Sequence, residues 1–85
     1  MYAVTFKESA RRELYALPAK TIVRITTVID RLAANPRPRG VLKLKGTGET
    51  LWRIRVGDYR IVYAIEDSVL VVNVRRIGDR KDVYE

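Results

Sequence analysis

The 85-residue sequence contains no cysteine and no histidine. Without cysteine, the chain forms neither disulfides nor thiolate metal sites, and it has no thiol nucleophile. Without histidine, it lacks both the commonest general base and the commonest metal ligand. No apolar run approaches the length of a membrane span, and the N-terminus lacks the apolar region of a signal peptide, which favours the cytoplasm. These absences argue against cysteine-dependent and metal-dependent chemistry.

Acidic residues are also few, since 17 lysine and arginine residues outnumber 10 aspartate and glutamate residues and give a net charge of +7. Such an excess predicts an anionic partner, which would be nucleic acid, an acidic protein or a membrane surface. A role in solubility alone is the alternative. The 47% hydrophobic fraction is typical of a globular chain, and the length predicts one domain over residues 1–85 with a modest core.

The most informative stretch is residues 51–63, which alternate with period two on both sides of Gly57-Asp58. This pattern predicts two strands joined by a two-residue turn. The apolar face of this hairpin, predicted to face the core, consists of Trp52, Ile54, Val56, Tyr59, Ile61, Tyr63 and Ile65. The other face, which we call the arginine face, carries Arg53, Arg55 and Arg60 and no acidic residue of the hairpin. The turn places Arg55 opposite Arg60, and because like charges across a strand pair cost stability, we predict that the compensating anion comes from outside the chain.

The rest of the chain predicts the elements around this hairpin. Residues 2–6 alternate as a short strand, and residues 36–50 form a basic connection that includes a short extended piece. Two helices are separated by Pro18 and closed by Asn35-Pro36. Their apolar stripes are Ala10, Leu14 and Leu17, then Ile22, Ile25, Ile29 and Leu32. We therefore predict an α+β fold with an N-terminal strand, a two-helix hairpin and a three-stranded antiparallel meander, the helices covering one face of the sheet.

The third strand of the meander is predicted over residues 69–76, and its register is open. A two-residue turn at Asp67-Ser68 would place Arg75 on the arginine face beside Arg60. Under that register, the core-face residues of the strand are Leu70, Val72 and Val74. A register that differs by one residue would send Arg76 to the arginine face instead.

Two segments resemble the RelE/ParE superfamily of bacterial and archaeal toxins: Gly-Asp-Tyr-Arg-Ile-Val-Tyr at residues 57–63 and Arg-Lys-Asp-Val-Tyr at residues 80–84. The resemblance covers nearly the whole chain and implies the fold described above. It leaves two activities open, because RelE members cleave messenger RNA in the ribosomal A site, whereas ParE members poison DNA gyrase on the same fold.

A residue-by-residue match favours the RelE branch. RelE-type enzymes use basic residues on the second strand, an arginine on the third, and an arginine and a tyrosine near the C-terminus. The catalytic residues implied by the match are Arg53, Arg55, Arg60, Arg80 and Tyr84. Further RNA contacts are predicted from Lys43, Lys45, Arg75, Arg76 and Lys81. The chain departs from the pattern twice, because the best-known members have lysines on the second strand and many relatives have a histidine in place of Asp79.

The resemblance implies attack by a ribose 2′-hydroxyl on the adjacent phosphate, which leaves a 2′,3′-cyclic phosphate and a free 5′-hydroxyl without metal or cofactor. Arginine stays protonated, so Arg53 and Arg55 are unsuited to act as the base. We hypothesise that Tyr84 is the base, its pKa lowered by the surrounding guanidiniums. Arg55 and Arg60 would hold the scissile phosphate, Arg80 would stand by the leaving oxygen, and Arg53 would orient the substrate.

The resemblance also implies partners. A cognate antitoxin would cover the arginine face or displace the tail, and the ribosome would distort the bound message so that naked RNA is cut poorly; no membrane or small-molecule cofactor is implied. Two alternatives stay open. A gyrase poison would keep its toxicity without Arg53, Arg55 and Tyr84, whereas a non-catalytic binding module would show salt-sensitive RNA affinity without product.

Overall fold

The computed structural model describes residues 1–45 and 48–79, which form a five-stranded sheet with two helices packed on one face. Along the chain, the elements are β1 (Ala3–Phe6), α1 (Glu8–Tyr15), α2 (Ala19–Ala34), β2 (Leu42–Leu44), β3 (Leu51–Val56), β4 (Tyr59–Glu66), one turn of 3₁₀ helix (Asp67–Val69) and β5 (Val71–Asp79). The strand order is β1-β5-β4-β3-β2. β1 runs parallel to β5, and the other neighbouring strands are antiparallel. The predicted α+β architecture is confirmed.

Both helices lie where the sequence pattern predicts them. α1 begins at Glu8, and Pro18 is the N-cap residue of α2, where its missing N–H has no helical partner to lose. α2 ends before Asn35, which is extended because it precedes a proline. In residues 1–45 and 48–79, neither helix is long and apolar enough to cross a bilayer.

The core lies between the helices and one face of the sheet. Its buried residues are Ala10, Leu14, Ile25, Ile29, Leu32, Val56, Ile61, Tyr63, Val72, Val74 and Ile77. Trp52, Ile54, Tyr59 and Ile65 are partly buried against this cluster. The predicted core face of the hairpin is therefore confirmed, and the arginine face points away from the helices.

β3 and β4 form the hairpin predicted from residues 51–63. Its register places Arg55 opposite Arg60, as a two-residue turn at Gly57-Asp58 requires. Gly57 has φ +60°, the value of the first central residue of a type II′ turn, which matches the twist of the flanking strands. The turn thus fixes which arginines face each other.

Replacing Gly57 with alanine is expected to lower the free energy of unfolding by about 1–2 kcal/mol, because a Cβ at this φ crowds the following carbonyl oxygen. A Cβ would also lie 2.9 Å from Nη2 of Arg24, a contact that the flexible side chain can relieve by moving. Urea unfolding measures the change. Asp58→Ala, at the exposed second turn position, is the control and is expected to stay within about 0.5 kcal/mol. Equal losses in the two variants would contradict the turn assignment.

The connection from β4 to β5 is longer than the two-residue turn that was predicted. Asp67–Val69 form a turn of 3₁₀ helix, and Leu70 follows in the left-handed conformation with φ 53°. Leu70 is 49% exposed, so its predicted place on the core face is wrong. Val72 and Val74 are fully buried on that face, as predicted.

Candidate nucleic-acid interface

The arginine face gathers guanidinium groups from three neighbouring strands. Cross-strand pairing defines one row of Arg55, Arg60 and Gly78, and a second row of Leu42, Arg53, Val62 and Arg76. The rows are adjacent because residues two positions apart on a strand share a face. We call the four residues Arg53, Arg55, Arg60 and Arg76 the arginine cluster.

A β-bulge brings β5 into this arrangement. Arg76 pairs with Val62, and the register shifts just before it, so that Arg75 is the extra residue of the bulge. Arg60 consequently lies opposite Gly78, and the predicted position of Arg75 beside Arg60 is wrong. Because the bulge interrupts the alternation of the strand, Arg75 and Arg76 both reach the arginine face, whereas the sequence pattern allowed only one of them.

Arg75 is held by partners from within the chain. Its Nη1 lies 2.8 Å from Oε2 of Glu49, its Nη2 contacts Oε1 of the same carboxylate, and its Nε donates to Oδ1 of Asn73. The hydrogen bonds with Arg75 lower the pKa of Glu49 and raise the pKa of Arg75, to which Glu66 contributes through its charge. The prediction of an external anion therefore does not extend to Arg75.

A small apolar patch on the arginine face was not predicted. Leu44 and Val62 are buried there, and Leu51 packs against them. The patch lies beside the arginine cluster, since Val62 pairs with Arg53. The Nε atoms of Arg53 and Arg60 are buried, so these two side chains are covered along part of their length.

The arginine cluster is suited to binding phosphate and unsuited to accepting a proton. Guanidinium groups stay protonated and donate paired hydrogen bonds to two oxygens of one anion. Arg55 and Arg60 stand directly opposite each other, a geometry that a bound anion would relieve. Within residues 1–45 and 48–79, no three acidic side chains converge in a way that would hold a metal ion. The chemistry open to these arginines is therefore charge stabilisation and positioning.

Of the two lysines of the connection, Lys43 does not join the arginine cluster. Lys43 pairs with Trp52, and its Nζ lies 5.9 Å from the centroid of the indole ring. Because Trp52 is on the core face, Lys43 is on the opposite side of the sheet from the arginine cluster. Lys45 is exposed just beyond the end of β2. Their predicted RNA contacts stay predictions.

Three of the predicted site residues belong to the tail. Arg80, Lys81 and Tyr84 lie outside the described residues, and their predicted roles stay predictions. Asp79, where many RelE relatives have histidine, pairs with Tyr59 at the end of β5. Since Tyr59 is a core-face residue, the register puts Asp79 on the side of the sheet away from the arginine cluster.

One further arginine of this region, Arg39, was not predicted from the sequence as a site residue. A groove of 380 Å³ is lined by Arg39, Gly40, Arg53, Ile54 and Arg55. Arg39 lies in the irregular connection, where no periodic pattern marks a position. The only local signal was the Pro-Arg-Gly sequence of residues 38–40, which is typical of a tight turn.

An ion pair between Arg37 and Asp67 ties this connection to the turn after β4. Arg37 donates to both carboxylate oxygens of Asp67, at 3.2 and 2.8 Å, and the Tyr2 hydroxyl donates to Oδ1 at 2.6 Å. The guanidinium of Arg37 also lies 5.1 Å from the centroid of the Trp52 ring. The hydrogen bonds from Arg37 and then from Tyr2 lower the pKa of Asp67 from 3.8 to about 2.

Asp67→Asn is expected to reduce stability at neutral pH and to lose this effect in acid. Because the folded pKa lies below the ordinary value, the contribution of the carboxylate is present above about pH 4 and is lost as the pH falls towards about 2. Urea unfolding of both proteins across this range measures the difference, which should shrink with pH. Asp30→Asn, at an exposed position of α2, is the control. A difference that does not vary with pH would contradict the role of the ionised carboxylate.

Comparison with known proteins shows the family to which this chain belongs. The chain matches the family described as ParE toxin of type II toxin-antitoxin system, parDE, over residues 4–84. It is 36% identical over 84 residues to toxin RelE of Mycobacterium tuberculosis, with coverage of 98% of this chain and 86% of that protein.

Two solved structures share the fold. The archaeal RelE-RelB complex from Pyrococcus horikoshii OT3 contains a chain with a TM-score of 0.82 and 31% identity, covering 96% of this chain and 98% of that one. The toxin-antitoxin complex RelBE2 from Mycobacterium tuberculosis contains one with a TM-score of 0.80 and 29% identity, covering 93% of this chain and 98% of that one. The resemblance inferred from the sequence is confirmed, and the chain belongs to the ParE toxin family of type II toxin-antitoxin systems as a RelE-like toxin.

Proposed function

We propose that this toxin is an endoribonuclease that cuts messenger RNA in the ribosomal A site and thereby stops translation. The observation that carries the proposal is the arginine cluster, in which Arg55 faces Arg60 and the adjacent row supplies Arg53 and Arg76. Several guanidiniums on one sheet face suit the successive phosphates of a nucleic acid. The similarity to toxins named RelE supports the same activity.

In the proposed mechanism, Arg55 and Arg60 bind the non-bridging oxygens of the scissile phosphate. Tyr84 removes the proton of the 2′-hydroxyl, and the 2′-oxygen bonds to phosphorus while the bond to the 5′-oxygen breaks. Arg80 stabilises the leaving 5′-oxygen, which takes a proton from solvent and ends as a hydroxyl, while Tyr84 returns the proton it removed to solvent; the other product is a 2′,3′-cyclic phosphate. Arg53 orients the substrate. The arginines act by stabilising charge that grows in the transition state, and no metal ion takes part.

The ribosome is part of the proposed activity. Arginines and one tyrosine form a weak nuclease on their own, because the 2′-oxygen must first be brought in line with the bond that breaks. The ribosome would hold the message in that shape, so naked RNA is cut poorly. The proposed site of action is therefore the translating ribosome in the cytoplasm.

A cognate antitoxin is the other proposed partner. One of the solved chains that resemble this protein belongs to RelBE2, a toxin-antitoxin complex. In this protein, an acidic segment of an antitoxin laid over the arginine cluster would compensate the facing charges of Arg55 and Arg60 and exclude RNA. Toxicity would then depend on release of the antitoxin.

A translation assay tests the proposed activity. The purified protein is mixed with ribosomes programmed with a defined message and, in parallel, with the same message alone, and primer extension maps any cut. The expected result is cleavage confined to the A-site codon of ribosome-bound message, with the naked message intact. An intact message in both reactions would overturn the proposal.

A second candidate, inhibition of DNA gyrase, is favoured by one observation, which is that the matching family carries the name ParE. A supercoiling assay separates the two functions. Gyrase inhibition that survives Arg55→Ala, without any cleavage of ribosome-bound message, would select this candidate.

A further inference from the structure

The groove beside β3 joins the connection after α2 to the arginine cluster. β2 pairs only with residues 51–53, so β3 continues beyond the end of β2. The turn at residues 38–41 lies at this open stretch, and its Arg39 lines the same 380 Å³ groove as Arg53 and Arg55. Three guanidinium-bearing residues from two separate segments therefore share one concave surface.

Arg39 stands at the corner of a defined turn. The Val41 N–H donates to the carbonyl oxygen of Pro38 over 3.4 Å, and Gly40 has φ +94°. This is the geometry of a type II turn, in which the third residue needs a positive φ and is therefore glycine. The turn makes Arg39 its second residue and directs the chain on to β2.

The segment before the turn is anchored to the sheet. The hydroxyl of buried Tyr63 donates to the carbonyl oxygen of Pro36 at 2.7 Å, and burial raises the pKa of Tyr63 to about 12, so this donor keeps its proton. The next residue, Arg37, is held by Asp67 and stacks over Trp52. A segment fixed in this way presents its turn with little left to order on binding, which favours affinity.

The groove carries positive charge, which suits an anionic ligand. Within residues 1–45 and 48–79, neither Arg39 nor Arg55 forms an ion pair. Arg53 and Arg55 lie about 7 Å apart along the strand, a backbone spacing that two long arginine side chains can span to bind one phosphate. Arg55 lines the groove and also faces Arg60 in the adjacent hairpin row. Successive phosphates of one strand would therefore pass from the groove to this pair of arginines.

We propose that Arg39, together with Arg53 and Arg55, forms a second phosphate-binding site that takes the RNA backbone phosphate next to the scissile one. The proposal rests on the ribonuclease function proposed above. Arg39 is a positioning residue, because it touches a flanking phosphate and not the reacting atoms. It sets how the RNA strand runs across the arginine cluster.

The test compares Arg39→Ala, Arg39→Lys and Arg12→Ala, a matched control that removes one arginine from the exposed side of α1. On programmed ribosomes, Arg39→Ala is expected to raise KM about tenfold, as for loss of one charge-assisted hydrogen-bonded contact, with kcat unchanged. Arg39→Lys keeps the positive charge but loses the paired N–H donors of the guanidinium, so its KM should lie between that of the parent and that of Arg39→Ala. The control should match the parent.

A second readout does not use cleavage. Fluorescence anisotropy of a labelled 12-nucleotide single-stranded RNA gives the affinity at several salt concentrations. Loss of one phosphate contact should reduce the steepness of log K against log salt by about 0.7 in Arg39→Ala, and the control should keep the parental slope.

The outcomes separate the two proposals. If the parent cuts ribosome-bound message and Arg39→Ala behaves like Arg12→Ala in KM and salt slope, the second phosphate site is wrong and the ribonuclease function stands. If the parent does not cut, the ribonuclease function is wrong. The salt dependence of RNA affinity in Arg39→Ala then decides alone whether Arg39 binds a phosphate. The second phosphate-binding site is overturned if the parent binds no RNA, or if Arg39→Ala keeps the parental slope of log K against log salt.

Discussion

Replacing Arg60 with alanine is expected to lower the rate of message cleavage on programmed ribosomes by about 10²–10³-fold, the typical loss when one preorganised donor to a developing charge is removed. Arg60 is half-buried with its Nε covered, and it faces Arg55 across the hairpin. A covered side chain keeps its guanidinium in a fixed direction, which is the condition for an effect of this size. Single-turnover cleavage, followed by primer extension, measures the rate at saturating toxin.

Arg12→Ala is the control for this experiment too, since it removes the same charge from an exposed position of α1, on the opposite side of the sheet from the arginine cluster.

Arg55→Ala adds a stability readout. It removes one of two like charges that stand opposite each other, so the free energy of unfolding should stay the same or increase while cleavage falls. Cleavage by Arg60→Ala at the rate of Arg12→Ala would show that the cluster is not the site of phosphate stabilisation.

Tyr84→Phe is expected to lower the cleavage rate by about 10²–10⁴-fold, the contribution of a positioned general base. Phenylalanine keeps the ring and removes only the ionisable hydroxyl. The arginine cluster supplies no substitute, because guanidinium groups do not give up their protons. The single-turnover rate of the parent should rise with pH as the base ionises, whereas the rate of the variant should be low and flat.

The control for this substitution is Tyr15→Phe, which removes a hydroxyl from a tyrosine that is 71% exposed on α1. It should leave both the rate and its pH dependence unchanged. Ribosome binding, measured by co-sedimentation, should be the same for both variants and the parent. If Tyr84→Phe cuts at the parental rate, the proton acceptor is another group.

The hairpin was predictable because its determinants are local. Alternation over residues 51–63 and a glycine at the turn set both the faces and the register, and so the opposition of Arg55 and Arg60 follows from the sequence. The helix ends at Pro18 and Asn35 are local in the same sense, since proline restricts itself and its predecessor.

The position of Arg75 was not predictable in this way. Asp67-Ser68 reads as a two-residue turn, but the Asp67 carboxylate binds Arg37 and Tyr2, which lie far away in the chain. The connection lengthens into a 3₁₀ turn followed by left-handed Leu70, and β5 takes up the difference in a bulge. Contacts between distant residues decided the register, and a period-two pattern carries no information about them.

The ion pair of Arg75 and the placement of Arg39 have the same origin. Glu49 lies in the connection before β3, whereas Arg75 lies in the middle of β5. Arg39 lines the same groove as Arg53 because the connection is anchored at Pro36 and Arg37. Irregular connections show no periodicity, so their side chains can be located only once the sheet is known.

The order of the strands also bears on how this toxin is made. β1 is the first of the described strands along the chain, and its partner in the sheet is β5, the last of them. A chain that leaves the ribosome N-terminus first cannot pair β1, or bring Arg76 to the arginine cluster, until β5 has emerged. We therefore expect a nascent toxin extended by a C-terminal linker to stay protease-sensitive on stalled ribosomes until the linker is long enough for β5 to leave the exit tunnel. Because β1 pairs with β5, the toxin's activity would be delayed until β5 has left the ribosome.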